Sequence, residues 1–329
     1  TTVGTDNIAI GKDALETNVN GSASIAIGSL ALEDQAPSGA GDAYNVAIGH
    51  DAGRNVSTGT ANTIIGGNAG DALTTGADNV VLGYNALSTE DTGNRNTALG
   101  RGTLQNLNYD GNGYNTAVGY EAGNDVTTGV ENAIVGGLAG DAMTTGSYNA
   151  VLGTSALGAN TKSNANVAIG NSALASHNLT SSTAAYNVAI GFNAGSAVTT
   201  GVNNTIVGGL AGDALTTGTN NVAMGYGALG SEDTGGQNVA IGVNALNTAN
   251  YDGNGLNVAV GYGAGAAVTT GVENVIVGGN AGDALTTGRR NVAIGHAALS
   301  AEDEHSYCVA IGYQALLRQD AGADRKSVV

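Results

Sequence analysis

The sequence predicts an all-β chain, a parallel β-solenoid of about 18 coils. Three observations lead there. A pentapeptide of the form Asn-x-small-apolar-Gly recurs 18 times; thirteen of its 17 intervals are 17 residues, two are 19 and two are 21. Glycine, at 55 of 329 residues, returns too often for a helix to run. Inside the pentapeptide, β-branched and small residues alternate, as in a short strand. A short fixed period of this kind marks stacked coils.

The copies begin at Asn7, Ser24, Asn45, Asn62, Asn79, Asn96, Asn115, Asn132, Asn149, Asn166, Asn187, Asn204, Asn221, Asn238, Asn257, Asn274, Asn291 and Cys308. The fourth place is always bulky and apolar, as in Ile10, Ile48, Leu82 and Val118. The second is Val, Ile, Thr or Ala, and the third is mostly Ala. A later small apolar pair, as in Asn85-Ala-Leu or Glu121-Ala-Gly, is expected to supply a second strand. Thr-Thr-Gly, as at Thr74-Thr75-Gly76, then turns the chain, since glycine accepts positive φ. At about 4.8 Å per coil, 18 coils would stack to a rod of about 85 Å. The Asn of each copy from Asn45 to Asn291 is expected at a corner, its amide bonded to the same amide one coil away. Cys308 takes that place in the last coil. The reading is one continuous solenoid over residues 1–317 and an irregular tail over 318–329.

A second period overlies the first. The copies at Asn62, Asn132, Asn204 and Asn274 continue as Gly-Gly-x-Ala-Gly-Asp-Ala and lie 70, 72 and 70 residues apart. One lengthened coil falls in each block of four, beginning at Ser24, Asn96, Asn166 and Asn238. Tyr109-Asp-Gly-Asn-Gly returns 142 residues later at Tyr251. Duplication of a four-coil block, then of a pair of blocks, would leave this record.

Charge and composition exclude several classes. Ten Lys and Arg against 27 Asp and Glu give −17, which opposes nucleic-acid binding through a basic surface. No run of 18 apolar residues exists to insert as a membrane helix. One cysteine rules out an intrachain disulfide or a thiolate zinc site.

Both strand faces are apolar in part of every block, because Ile64, Ile134, Ile206 and Ile276 stand at the third place between apolar second and fourth places. A strand apolar on both faces is buried on both. A symmetric homo-oligomer is the simplest way to cover the second face, and a wider single-chain tube is the alternative.

Asn45-Val-Ala-Ile-Gly, with its copies at Asn166, Asn187 and Asn291, resembles the head repeat of trimeric autotransporter adhesins of the YadA type. Asn115-Thr-Ala-Val-Gly-Tyr-Glu-Ala-Gly followed by Thr-Thr-Gly is similar to repeats in tail-fibre proteins of bacterial viruses. The likeness spans Asn7 to Ala315, although the coil is longer than in the adhesins. It implies a left-handed parallel β-roll, three chains around one axis, and a role in attachment. The implied setting is a tail fibre on a virion, its partners further copies of itself and a host-surface glycan or protein receptor. A bacterial cell-surface or secreted adhesin is the alternative.

Chemistry is sparse, and the reading is not an enzyme. His50 and His296 share a column with Tyr84, Tyr120, Phe192, Tyr226, Tyr262 and Tyr313, all just after the motif glycine. His177 and His305 are expected in loops without a matched nucleophile. The pairs Glu90-Asp91, Glu232-Asp233 and Glu302-Asp303 read as solvated acidic turns. An interchain polysaccharide depolymerase is the weaker enzymatic alternative, since glycosidase carboxylates must converge across one bond. An ice-binding threonine array is another, but the Thr-Thr pairs are interrupted. No catalytic residue, metal ligand or cofactor is assigned. Calcium is the one ion left open, at Asp71, Asp141, Asp213 and Asp283 or in the Tyr109 and Tyr251 loops. The aromatics after the motif glycine, Tyr84, Tyr120, Phe192, Tyr226, Tyr262 and Tyr313, are the candidate seam or ligand contacts.

Overall fold

The computed structural model describes residues 4–37, 41–301, 304–317 and 327–328, and every regular element among them is a β-strand. The chain divides into two compact units: Thr1–Ala165 with Thr180–Thr183, and Asn166–Leu179 with Ala184–Val329. Each is a parallel β-solenoid, and the two together hold about 18 coils.

In the first unit, Ile8–Ile10, Ile25–Ile27, Val46–Ile48, Thr63–Ile65, Val80–Leu82, Thr97–Leu99, Thr116–Val118, Ala133–Val135 and Ala150–Leu152 pair in that order, each parallel to the next. The second unit repeats this from Val167–Ile169 to Val309–Ile311. Register follows the pentapeptide even across the longer coils, so that Thr97 lies beside Thr116 and Val239 beside Val258. Of the 318–329 tail, 318–326 and 329 lie outside the described residues; Ser327–Val328 pairs with Val309 and Ala310.

Among the described residues each coil carries one three-residue strand, and the later apolar pair forms no second one, which corrects the expectation of two. The only other strand pairing within the coils, Gly21–Ser22 with Gly41–Asp42, lies beyond that pair in the first two coils. The later apolar pair builds turns instead. In the Asn79 coil, Asn85 and Leu87 hold φ of 55° and 50° on either side of Ala86. Left-handed residues at alternate positions curl the chain, while its amides still reach adjacent coils: Asn85 N donates to Gly67 O at 3.1 Å and Leu87 N to Thr103 O at 3.0 Å. The residue before each motif Asn is left-handed too, as at Arg95 with φ 60°. The strand ends at the motif glycine, where φ at Gly83 is 146° and a Cβ would stand 2.2 Å from the carbonyl oxygen of Gly100 in the next coil. Only glycine permits that stacking.

The third place fills the interior: Ala47, Ile64, Val81 and Ala98 are fully buried, whereas the bulky fourth-place residues turn outward. The rest of the core comes from the eighth, ninth and twelfth places, such as Ala86, Leu87 and Val126. Volume is matched between coils. Where the third place is Ile, the ninth place is Gly in that coil and in the one before it. A Cβ on Gly123 would meet Ile134 Cδ1 at 2.9 Å, Leu104 Cδ2 at 3.1 Å and Val126 Cγ2 at 3.3 Å. Gly53, Gly195 and Gly265 have the same three kinds of neighbour. One coil in each block therefore receives its filling from the coils on both sides, and this explains the four-coil period.

The motif asparagines are buried from Asn45 to Asn291. Asn62 donates its backbone N–H to Asn45 Oδ1 at 3.0 Å and its Nδ2 across the coil to Gly76 O at 2.8 Å. The same backbone-to-Oδ1 bond links Asn79, Asn96, Asn115, Asn132 and Asn149 in the first unit. In the second it links Asn204, Asn221, Asn238, Asn257, Asn274 and Asn291, and Cys308 N closes the series on Asn291 Oδ1 at 2.8 Å. Ser24 has no amide to offer, and Gln35 Oε1 accepts Asn45 Nδ2 at 2.9 Å in its stead.

Candidate interaction surfaces

Because the third place points inward, the second and fourth places of every strand face out. Val80 and Leu82 are 42% and 48% exposed, and Ile190, Met224, Ile241 and Ile294 are also exposed. These side chains form an aliphatic stripe on each unit. Contiguous apolar surface of this kind is characteristic of interaction sites.

Aromatic residues flank the stripe at the strand's exit. Tyr84, Tyr120, Phe192, Tyr226, Tyr262 and Tyr313 are all exposed. Tyr84 lies over Gly67 of the preceding coil, where a Cβ would meet its Cδ2 at 3.4 Å. Tyr226 and His296 lie in the same way over Gly209 and Gly279, each at 3.6 Å. Arg101 covers the Tyr120 ring at 5.5 Å, and His296 stacks on Tyr313 with centroids 5.6 Å apart. His50 pairs with Asp51 at 2.9 Å.

A second aromatic column flanks the strand's entry: Tyr44, Tyr114, Tyr148, Tyr186 and Tyr307, each exposed and each with positive φ. Sequence reasoning missed it, although the signal was present in their common position just before the motif residue. Two of the five sit in acid–Arg–Tyr stacks on successive coils. Arg95 lies 3.6 Å from Asp78 and donates to the Tyr114 hydroxyl at 2.8 Å. Arg290 bonds Glu273 and donates to the Tyr307 hydroxyl at 2.7 Å. The Arg290 hydrogen bond holds the Glu273 carboxyl below its ordinary value.

The interior holds groups expected outside. Glu90 and Glu232 are fully buried, not solvated. They occupy the twelfth place, whose side chain points inward whatever its type, so the chain satisfies the carboxylate with backbone amides. Glu90 accepts Gly93 N at 2.7 Å and Tyr109 N, from the lengthened coil that follows, at 3.1 Å. Glu232 accepts Gly235 N at 2.7 Å. Burial raises both carboxyls above their ordinary value, and these amide bonds oppose the rise. His177 shares the twelfth place. It too is fully buried, within an irregular segment of its coil. Burial lowers it to about 4. Glu302-Asp303 lies outside the described residues, and His305 accepts Asn291 Nδ2 through its carbonyl at 2.9 Å.

The two Tyr-Asp-Gly-Asn-Gly loops differ. Tyr251 is buried, its hydroxyl donating to Asn238 Oδ1, whereas Tyr109 is half-buried. The twelfth place separates them: Leu107 fills the interior beside Tyr109, and Ala249 leaves room for the Tyr251 ring. Asp110 and Asp252 accept hydrogen bonds from Thr92 at 2.6 Å and Thr234 at 3.2 Å.

Among the described residues, no group of three or more His, Cys, Asp or Glu is placed to hold a metal ion. Asp71, Asp141 and Asp213 stand half-buried on the coil surface, with burial raising each carboxyl. The first threonine of several Thr-Thr pairs donates its hydroxyl to a carbonyl of the next coil, as Thr144 does to Thr161 O at 2.8 Å. No described helix is long and apolar enough to cross a membrane. No protein-family model matches the chain, and no curated protein matches it.

Proposed function

We propose that the chain is a non-enzymatic structural segment of a homotrimeric fibre with which a bacterial virus attaches to its host. The observation that carries this reading is the outward strand face, where one aliphatic side chain per coil is repeated through each unit at constant register. Each coil is too narrow to bury many large side chains, so its interior is alanine-rich and leaves much apolar surface outside. Three such stripes meeting about one axis would give every coil a second core, made from the second and fourth places. The number three, the left-handed winding and the viral setting rest on the likeness of the repeat to tail-fibre and adhesin-head repeats. A charge of −17 per chain keeps copies apart everywhere except where that apolar contact outweighs repulsion.

The test is mass in solution. Light scattering is expected to give three times the 32.0 kDa of one chain. Ile190→Asp with Ile241→Asp is expected to return the mass to one chain with the β-type circular dichroism retained, since both side chains point away from the coil interior. A stable single-chain particle from the unmodified protein would end the proposal.

A further inference from the structure

We propose that the aromatic column at the strand exit of the second unit binds a neutral glycan chain laid across successive coils. This inference rests on the attachment reading and names its ligand class. Its basis is a spacing. Phe192, Tyr226, Tyr262 and His296 stand at the sixth place of every second coil, with Gly209, Val243 and Gly279 at that place in the coils between. At the inter-strand distance, successive rings are about 10 Å apart, beyond the 4.5–7 Å at which aromatic rings pair with one another. Phe192, Tyr226 and Tyr262 are therefore separate platforms, and His296 closes the row as a pair stacked with Tyr313 of the next coil.

Glycine sets the attitude of two of these rings, Tyr226 and His296. At Gly209 a Cβ would lie 3.6 and 4.0 Å from Cδ2 and Cε2 of Tyr226, and at Gly279 it would lie 3.6 Å from Cδ2 of His296. With no side chain beneath, these two rings rest on the preceding coil's backbone, whereas Asn171 and Val243 precede Phe192 and Tyr262 at that place. Phe192, Tyr226 and Tyr262 remain 58%, 56% and 65% exposed. Apolar ring faces at a regular interval suit an extended polymer whose own apolar faces recur regularly. A pyranose chain has that character: its C–H faces stack on the rings and its hydroxyls remain free for water and for the amides of Asn193, which follows Phe192, and Asn244, which follows Val243 in the coil between Tyr226 and Tyr262. Charge narrows the class. A chain at −17 repels polyanions, so glycans rich in uronic or sialic acids are disfavoured against uncharged ones. The first unit carries a shorter version in which Tyr84 lies over Gly67.

The assembled protein is titrated with chitohexaose, maltohexaose and cellohexaose as neutral probes and with a heparin hexasaccharide as the anionic one, followed by tyrosine fluorescence, which no tryptophan obscures. At least one neutral hexamer is expected to bind about tenfold or more tighter than its dimer, because it reaches several platforms at once. The triple variant Phe192→Ala, Tyr226→Ala and Tyr262→Ala is expected to lose about tenfold or more in affinity at unchanged mass. Failure of all three neutral hexamers, preference for heparin, unchanged binding by the triple variant, or a loss of assembly in that variant overturns the inference. Fluorescently labelled protein applied to a panel of bacteria before and after periodate oxidation separates it from the broader reading. Binding that survives periodate keeps attachment and removes the glycan. Absence of binding to any cell removes attachment, and the oligosaccharide titration still decides the glycan.

Discussion

Gly123→Ala tests the volume matching that gives the solenoid its four-coil period. Gly123 holds φ of 59°, a conformation that costs an L-residue about 1 kcal/mol. The chain already bears that cost at the equivalent Leu104, with φ of 49°, so backbone strain alone does not forbid alanine. The added methyl decides the outcome, since it would stand 2.9 Å from Ile134 Cδ1 and 3.1 Å from Leu104 Cδ2 in a filled interior. Overpacking of this kind costs about 1–3 kcal/mol, for a total of about 2–4. Ile134→Val deletes the nearest of those atoms and by itself costs about 0.5–1.5 kcal/mol. In the Gly123→Ala background the same deletion relieves the clash, and the pair is expected to be coupled by at least about 1 kcal/mol. The assay is urea unfolding of the four proteins at one concentration, because association makes stability depend on it. Additivity within about 0.5 kcal/mol would refute the matching argument.

The remaining predictions concern groups inside the coils. Ala249→Leu is expected to expel the Tyr251 ring, and Leu107→Ala to draw Tyr109 inward. Burial raises the Tyr251 hydroxyl, so tyrosinate absorbance should show one late-titrating phenol fewer in the first variant and one more in the second. His177 is lowered from 6.5 to about 4, so the unfolded chain takes up its proton first and stability falls as pH drops through that interval. The loss relative to His177→Leu should approach about 3 kcal/mol by pH 4, read as the difference in urea midpoints at neutral and acid pH. Glu90 and Glu232 act in the opposite sense: their raised carboxyls make the fold the stronger proton binder, so wild type should gain on Glu90→Gln as pH falls toward the ordinary glutamate range.

Most of the architecture could be read from spacing, because a coil cannot change length without moving its glycine and its asparagine. What spacing left open was direction. In a three-residue strand such as Thr63-Ile64-Ile65, both faces are apolar, and only the packing of Ile64 Cδ1 against the glycine side of the coil shows which one is inside. The twelfth place was opaque for another reason. Leu73, Glu90, Val126, Asn160 and His177 share one buried position yet have no chemistry in common, since backbone amides accept what hydrophobic contact cannot. Glu90-Asp91 therefore looked like an exposed turn. Identical strings could mislead as well: the loops at Tyr109 and Tyr251 have the same five residues, and their difference lies two positions upstream. The exit aromatics were visible as a column, but the entry column was not, because its tyrosines alternate with Asp, Arg and Glu.

The interlocking of Ile134 with the glycine one coil earlier has a consequence for how such a molecule can be lengthened or rebuilt. A single turn copied or removed would set isoleucine over leucine at one junction and leave a hollow at another. Whole cassettes of four carry matched ends and can be spliced without either fault. Recombination in steps of 70 or 72 residues, rather than 17, is the route the packing leaves open to evolution and to the protein engineer alike.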